Sequence, residues 1–148
     1  MDLTTTLRDE IVAHCRQEHP GEACGVLVAP MGHEFPMRFV RMVNAAADTT
    51  RFYEFQPEDL LALFKELDVR GEDVVALVHS HTATEAYPSQ VDINGAVHMG
   101  MYYVIVSTAS EPAELRAYRI EGGIVTEEQV NEVPMPAPQP TAEAVDGS

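Results

Sequence analysis

Mostly apolar side chains recur at helical spacing in two stretches of the chain. The first stretch, residues 3–19, begins with a threonine run that can cap a helix and stops at Pro20-Gly21. The second, residues 57–71, opens with a proline and two acidic residues and closes on a glycine. The recurring positions are Leu7, Ile11, His14 and Cys15 in the first stretch, and Leu60, Leu63, Phe64 and Leu67 in the second. The pattern predicts an amphipathic helix in each stretch.

Shorter runs rich in β-forming residues separate and follow these helices. They cover residues 24–29, 35–43, 74–78, 101–107, 115–121 and 124–128. The run from Val74 to Val78 is apolar throughout, which is typical of a strand at the centre of a sheet, and it leads directly into His79-Ser80-His81. Farther along, Pro88-Ser89 has the character of a helix start, and Gly122-Gly123 suits a two-residue hairpin turn.

The mixed order of helices and strands predicts an α/β or α+β fold in which a central mixed β-sheet is flanked by helices. A chain of 148 residues has the size of one ordinary domain. From Val133 onward, the composition shifts to Pro, Ala and Gln without apolar periodicity. We therefore expect one domain over residues 1–131 and a disordered, acidic, Pro/Ala-rich tail over residues 132–148.

Charge and cysteine content narrow the class of protein. The chain carries 24 acidic residues against nine Lys and Arg, a formal net charge of -15, which repels nucleic acid and anionic membrane surfaces. The first ten residues show no secretion signal and no apolar run could span a bilayer, so we expect a cytoplasmic protein. Cys15 and Cys24 are too few for a disulfide scaffold, and we expect both to be reduced and buried. Whether the chain forms a homodimer is left open.

Candidate metal ligands follow the central strand. Side chains two apart in a strand project to the same face, so His79 and His81 can aim at one point. If a helix begins near Ser89, then Ser89 and Asp92 lie one turn apart and can address that same point. Two histidines and one aspartate would leave a tetrahedral zinc with an open position for water, which is typical of a catalytic site.

Each half of this pattern also has a simpler interpretation. Ser89 followed three residues later by Asp92 fits a helix capping box, and taken alone that interpretation is the favoured one. His79-x-His81 taken alone is weak evidence for a metal, because histidines at a strand end are often only hydrogen-bonded. Only the combination of both halves favours a metal site.

The complete spacing resembles the signature of the JAMM (MPN+) metallopeptidases: His79-x-His81, seven residues, Ser89, two residues, Asp92. That family also has a glutamate at the edge of an early strand, and Glu22 in residues 20–27 is similar to it. The resemblance covers most of residues 5–130 and implies the cytidine-deaminase-like fold of the family. Where many eukaryotic members have proline, this chain has Thr82, which separates it from the proteasomal deubiquitinases and leaves the ligands intact.

Within the family, residues 20–27, 79–89 and 118–120 resemble the actinobacterial CysO-cysteine peptidase branch. The resemblance implies one zinc ion per chain, held by His79, His81 and Asp92, which lowers the pKa of its bound water to ~7. It implies Glu22 as general base and Ser89 as a donor to the oxyanion. The implied reaction is hydrolysis after the C-terminal Gly-Gly of a ubiquitin-like sulfur-carrier protein, which releases cysteine in cysteine biosynthesis.

Two other functions are open on the sequence alone. One keeps the mechanism but acts on isopeptides that a ubiquitin-like modifier forms on lysine. The other is a catalytically inactive MPN-type scaffold that only binds partners. Scaffold relatives usually lack the metal ligands, whereas this chain has all of them.

Overall fold

A computed structural model of the protein describes residues 1–96 and 100–136. Within these residues the helices are α1 (Thr5–Glu18), α2 (Pro57–Arg70) and α3 (Gln90–Gly95). The strands are β1 (Asp2–Thr4), β2 (Cys24–Pro30), β3 (Arg38–Met42), β4 (Glu72–His81), β5 (Tyr102–Ser107), β6 (Glu114–Glu121), β7 (Ile124–Glu128) and β8 (Asn131–Val133).

The two long helices lie where the periodicity predicts them. The hydroxyl of Thr4 caps α1 by accepting a hydrogen bond from the amide of Leu7 at 3.1 Å. Helix α2 begins with Pro57 and ends at Gly71, whose φ of 68° suits a residue without a side chain. Of the apolar positions that mark α2, Leu63 and Leu67 are buried, whereas Phe64 is 51% exposed. Across the described residues, no helix has the length and apolar character needed to cross a membrane.

Six strands form one sheet in the order β3-β2-β4-β5-β6-β7. Strands β4 and β5 run parallel, and the other neighbours are antiparallel, so the predicted mixed sheet is confirmed. At Gly25 a side chain would not fit, because a Cβ there would lie 2.5 Å from the carbonyl oxygen of Val40 in β3. Glycine at this position therefore lets β3 lie close against β2.

Alternate residues of the central strands pack on opposite faces of the sheet. On one face, Leu27, Val78 and Val104 join the core that α1 covers. On the other face, the core beneath α2 contains Val26 and Val28. Because of this alternation, each side chain at the end of β4 lies on a defined face of the sheet.

A second, two-stranded sheet joins the two ends of the described chain. Strand β1 pairs in parallel with β8, and Leu3 and Thr4 lie opposite Glu132 and Val133. The predicted domain boundary after residue 131 thus falls within a strand. From residue 137 onward, the predicted disordered tail lies outside the described residues.

Candidate metal centre and active site

The two histidines at the end of β4 project to the same face of the sheet. His79 and His81 are 2% and 7% exposed, and their Nε2 atoms lie 3.2 Å apart. Ser80 between them turns to the opposite face, where its Oγ accepts a hydrogen bond from the amide of Ala23 at 2.8 Å. The two-residue period of the strand therefore places both imidazoles at one point, as predicted.

Asp92 reaches that same point from α3. Its Oδ2 lies 3.2 Å from Nε2 of His79 and 3.1 Å from Nε2 of His81. Although burial opposes it, hydrogen bonds from both histidines and from the amide of Ser89 hold the pKa of Asp92 well below its usual range. Asp92 is therefore an anion at neutral pH, directed at two ring nitrogens.

The ring of His81 is oriented by the chain that follows it. Its Nδ1 lies 2.9 Å from the carbonyl oxygen of Glu85, which can only accept, so Nδ1 carries the proton. In the neutral ring, Nε2 then directs a lone pair at the Asp92 carboxylate, so that either a proton or a metal ion must lie between them. Burial lowers the pKa of His81, but the bonds to Asp92 and to the Glu85 carbonyl outweigh it and raise that pKa.

A metal ion satisfies this requirement at the observed spacing. A tetrahedral zinc with bonds of ~2.0–2.1 Å has ligands ~3.3 Å apart. The three atoms of His79, His81 and Asp92 are separated by 3.1–3.2 Å. The donor set of two imidazoles and one carboxylate is one that zinc accepts. The residues present therefore fit a metal ion.

Ser89 and Asp92 form a complete capping box at the start of α3. The Ser89 hydroxyl accepts from the amide of Asp92 at 3.1 Å, and Asp92 Oδ2 accepts from the amide of Ser89 at 2.8 Å. The capping interpretation and the interpretation as a metal site are thus compatible, because one carboxylate oxygen serves both. The hydroxyl proton of Ser89 is not used by the cap.

Glu22 lies just before β2 and opens onto the same point. It is 6% exposed, and its carboxylate lies within 4.8 Å of ligand nitrogens of His79 and His81. Burial raises the pKa of Glu22 to about 7, an effect that His81 opposes and that Asp92 adds to. A carboxyl group with a pKa near neutrality can both accept and return a proton, which suits general acid-base catalysis.

The loop between β3 and α2, residues 43–56, holds Glu22 in place. The carbonyl oxygen of Thr49 accepts a hydrogen bond from the amide of Glu22 at 2.6 Å. Asn44 donates to the carbonyl oxygen of Glu22 at 2.9 Å and closes the loop by a second bond to Phe52. These contacts explain how one glutamate far from the histidines in sequence is fixed beside them.

Tyr53 of this loop stacks on His79, with ring centroids 4.4 Å apart and an angle of 21° between the planes. The stacking fixes the plane of the imidazole. Sequence reasoning missed Tyr53, Asn44 and Thr49, because residues 43–56 contain no motif and their contacts depend on the fold.

The cysteines do not contribute a nucleophile. Cys15 and Cys24 are both buried and unpaired in the structure, as the sequence predicts. Burial raises the pKa of Cys24 to about 12, so this thiol stays protonated at neutral pH although it lies two residues from Glu22.

The five candidate residues line one open cleft of about 690 Å³. Its walls come from the loop before α2 and from the segment that follows β4. They include Phe52, Phe55, Thr82 and Thr84. The structure therefore brings together all five residues that the sequence singles out.

Comparison with known proteins places this site in a family. Residues 4–121 match the family described as prokaryotic homologs of the JAB domain. The CysO-cysteine peptidase of Mycobacterium tuberculosis is 45% identical over 132 residues, which is 88% of this chain and 90% of that protein. The desampylase of Haloferax volcanii is 30% identical over 111 residues, 72% of this chain and 80% of that protein.

Solved structures agree in fold. A protein from Desulfitobacterium hafniense superposes with a TM-score of 0.80 at 27% identity and covers 90% of this chain and 93% of that one. A JAB1/MPN domain protein from Archaeoglobus fulgidus has a TM-score of 0.60 at 20% identity, covering 90% and 97%. With the family match and the shared fold, the chain belongs to the JAB (JAMM) family of metallopeptidases and is a hydrolase of that family.

Proposed function

We propose that this protein is a zinc metallopeptidase that cuts after the C-terminal glycine of a ubiquitin-like sulfur-carrier protein and releases cysteine. The observation that carries the proposal is the 45% identity to a CysO-cysteine peptidase over 88% of the chain, with both histidines, Ser89, Asp92 and Glu22 gathered in one cleft. We place the reaction in the cytoplasm, as the sequence leads us to expect.

In this proposal His79, His81 and Asp92 hold the metal. A zinc ion bound there would supply Lewis acidity, which makes water more acidic and polarises the scissile carbonyl. The capping box fixes the direction of the Asp92 carboxylate, and the Glu85 carbonyl fixes the ring of His81. The chain therefore sets the ligand directions before any substrate arrives.

Two further residues would act on the reacting groups. Glu22, with its raised pKa, takes a proton from the attacking water and returns it to the leaving amine. Ser89 donates its hydroxyl proton to the oxygen that gains charge as water adds to the carbonyl. Its lone pairs already accept from the amide of Asp92, so the hydroxyl is held in position for this donation.

A second candidate is cleavage of isopeptide bonds. The relatives from Haloferax volcanii and Pyrococcus furiosus are both named desampylase and are 30% and 29% identical to this chain. The same cleft and mechanism would cleave an isopeptide bond, because the two reactions differ only in the amine that is released. The scaffold alternative is disfavoured, since such proteins usually lack the ligands that are gathered here.

The two peptidase candidates can be separated by one comparison. The zinc-loaded protein is incubated with a CysO protein extended by one cysteine, and separately with the same carrier joined to a lysine side chain. Mass spectrometry then follows the release of carrier ending in glycine. We expect the cysteine adduct to be cleaved at least tenfold faster than the lysine adduct.

Two controls make the outcome decisive. The Glu22→Gln variant reports any contaminating peptidase, and a chelator shows dependence on metal. Cleavage of the lysine adduct alone would replace the first candidate by the second. If neither adduct is cleaved by protein that carries one zinc per chain, both candidates are wrong.

A further inference from the structure

We propose that Arg51 binds the α-carboxylate of the residue that is released, and so makes the protein selective for a single C-terminal residue beyond the scissile bond. This inference rests on the proposed function, in which the leaving residue is a free cysteine. It adds a specificity-determining residue that the metal centre does not include.

The substrate places a negative charge close to the site. When one residue follows the scissile bond, its carboxyl carbon lies only two bonds, about 2.5 Å, from the scissile nitrogen. A metal ion of charge +2 would balance Asp92 and Glu22, but Glu54 also lines the cleft and the chain has a net charge of -15, which disfavours a further anion. A positively charged side chain in the cleft would therefore stabilise the terminal carboxylate.

Arg51 is the one Lys or Arg that lines the cleft among residues 1–96 and 100–136. The two residues before Arg51 are hydrogen-bonded to residues at the site. The hydroxyl of Thr82, the residue after His81, donates to the carbonyl oxygen of Thr50 at 3.5 Å, and the neighbouring Thr49 carbonyl accepts from the amide of Glu22 at 2.6 Å. These bonds hold the backbone of Arg51 beside both the metal ligands and the proposed base.

The guanidinium of Arg51 is also available. It lies 5.5 Å from the centroid of the Phe52 ring and forms no ion pair within the described part of the chain, although its charge helps to lower the pKa of the nearby, exposed Asp48. Most other arginines do form such pairs: Arg8, Arg16, Arg38, Arg70, Arg116 and Arg119. Arg41 also forms no ion pair among the described residues, but it bonds to Gln17 and does not line this cleft, whereas Arg51 does and can bind a carboxylate there.

The geometry of Arg51 suits such a ligand. A guanidinium presents its donors in a planar fork that matches a carboxylate, and the ring of Phe52 lies within cation–π distance of it. An amide in place of the carboxylate loses the charge and one acceptor, so it binds this fork less well. The difference in cleavage between a substrate that ends in a carboxylate and one that ends in a carboxamide therefore measures the contribution of Arg51.

The test uses a CysO protein extended by one cysteine in two forms, with a free C-terminal carboxylate and with a C-terminal carboxamide. Values of kcat/KM are measured for the zinc-loaded wild type and for Arg51→Gln. We expect the wild type to prefer the acid by about 10- to 100-fold, as removal of one charged hydrogen-bond partner implies. In Arg51→Gln the ratio of acid to amide should fall to about one, and Arg51→Lys should restore part of it.

Arg70→Gln serves as the matched control, because Arg70 precedes β4 and lies at the opposite end of that strand from His79. It should keep the wild-type preference. Equal cleavage of both forms by the wild type, or an undiminished preference in Arg51→Gln, would overturn the role of Arg51 and leave the proposed function standing. An equal loss on both forms would assign Arg51 to contact with the carrier and also overturn it. If wild type cleaves neither form, the proposed function fails, and this inference with it.

Discussion

Ser89 and Asp92 cap the same helix by exchanging hydrogen bonds, and the carboxylate oxygen used in that exchange also faces the histidine pair. Oδ2 of Asp92 accepts from the amide of Ser89 at 2.8 Å and lies 3.1 Å from Nε2 of His81. A local capping signal thereby positions a residue of the proposed metal site. The bond that stabilises the start of α3 therefore also sets the position of the Asp92 carboxylate in the site.

The Ser89→Gly change distinguishes the role of Ser89 as a helix cap from the role of its hydroxyl in the reaction. Glycine is tolerated at a helix N-cap, so the free energy of unfolding should fall by only a few tenths of a kcal/mol. Without the hydroxyl, kcat should fall by ~10²-fold or more, because a donor to the oxyanion is lost. Urea unfolding and steady-state kinetics on the cysteine adduct measure the two effects. Ser89→Thr keeps a hydroxyl and is expected to retain most activity; a fully active glycine variant would contradict the role of Ser89.

Substitution of Glu22→Gln should abolish proton transfer while leaving the metal bound. The amide keeps the shape of the side chain but cannot take up a proton, so kcat should fall by about 10²- to 10⁴-fold. Elemental analysis of the purified variant should still find one metal ion per chain. Loss of the metal in this variant would instead make Glu22 a ligand, and full activity would remove it from the mechanism.

Removal of the Asp92 carboxylate should weaken metal binding itself. In Asp92→Asn an anionic oxygen that lies 3.1–3.2 Å from both histidines becomes a neutral amide. Zinc at 100 times its dissociation constant should stabilise the wild type by about 2.7 kcal/mol, since it binds only the folded state. Thermal unfolding with and without zinc should show this gain in the wild type and little of it in the variant. An equal gain in both proteins would mean that Asp92 is not a ligand.

His14 should make the protein less stable below pH 6.5. Its Nε2 lies 3.1 Å from the carbonyl oxygen of Cys24, whereas the buried Nδ1 has no hydrogen-bond partner among residues 1–96 and 100–136. Burial lowers the pKa of His14 from 6.5, an effect that the bond to Cys24 only partly offsets. Below pH 6.5 the unfolded chain therefore binds more protons than the folded protein, and folding becomes less favourable.

The size of this effect is bounded by proton linkage. Between pH 6.5 and the lowered pKa, each pH unit can remove at most about 1.4 kcal/mol of unfolding free energy through this one residue. Urea unfolding between pH 5.5 and 7.5 should show a steeper loss in wild type than in His14→Gln, which retains a donor for Cys24 but does not titrate. Parallel curves for the two proteins would exclude His14 as the source.

Much of the fold follows from local patterns. Helix α2 is marked by Pro57, by its apolar spacing and by Gly71, and the structure gives it the bounds Pro57–Arg70. The central strand is marked by its continuous apolar run. The short strands β1 and β8 carry no such marks, because three residues are too few for a periodic pattern and their pairing joins opposite ends of the domain.

The candidate site likewise has one part that can be predicted from the sequence and one part that depends on the fold. The side-chain period of a strand aligns His79 with His81, and the capping spacing aligns Ser89 with Asp92, so each pair can be predicted from sequence. That the two pairs meet depends on β4 and α3 being folded against each other. Arg51 and Tyr53 reach the cleft only because the loop before α2 crosses this end of the sheet.

The sequence by itself determined the family, the mixed α and β composition and the five candidate residues, because motif spacing and hydrophobic period are properties of neighbouring positions. Only the tertiary structure decided that Glu22 opens onto the histidines, that one Asp92 oxygen serves both the cap and the site, and that Arg51 lines the cleft. These relations join residues far apart along the chain. They are set by sheet register and loop packing, which no local pattern encodes.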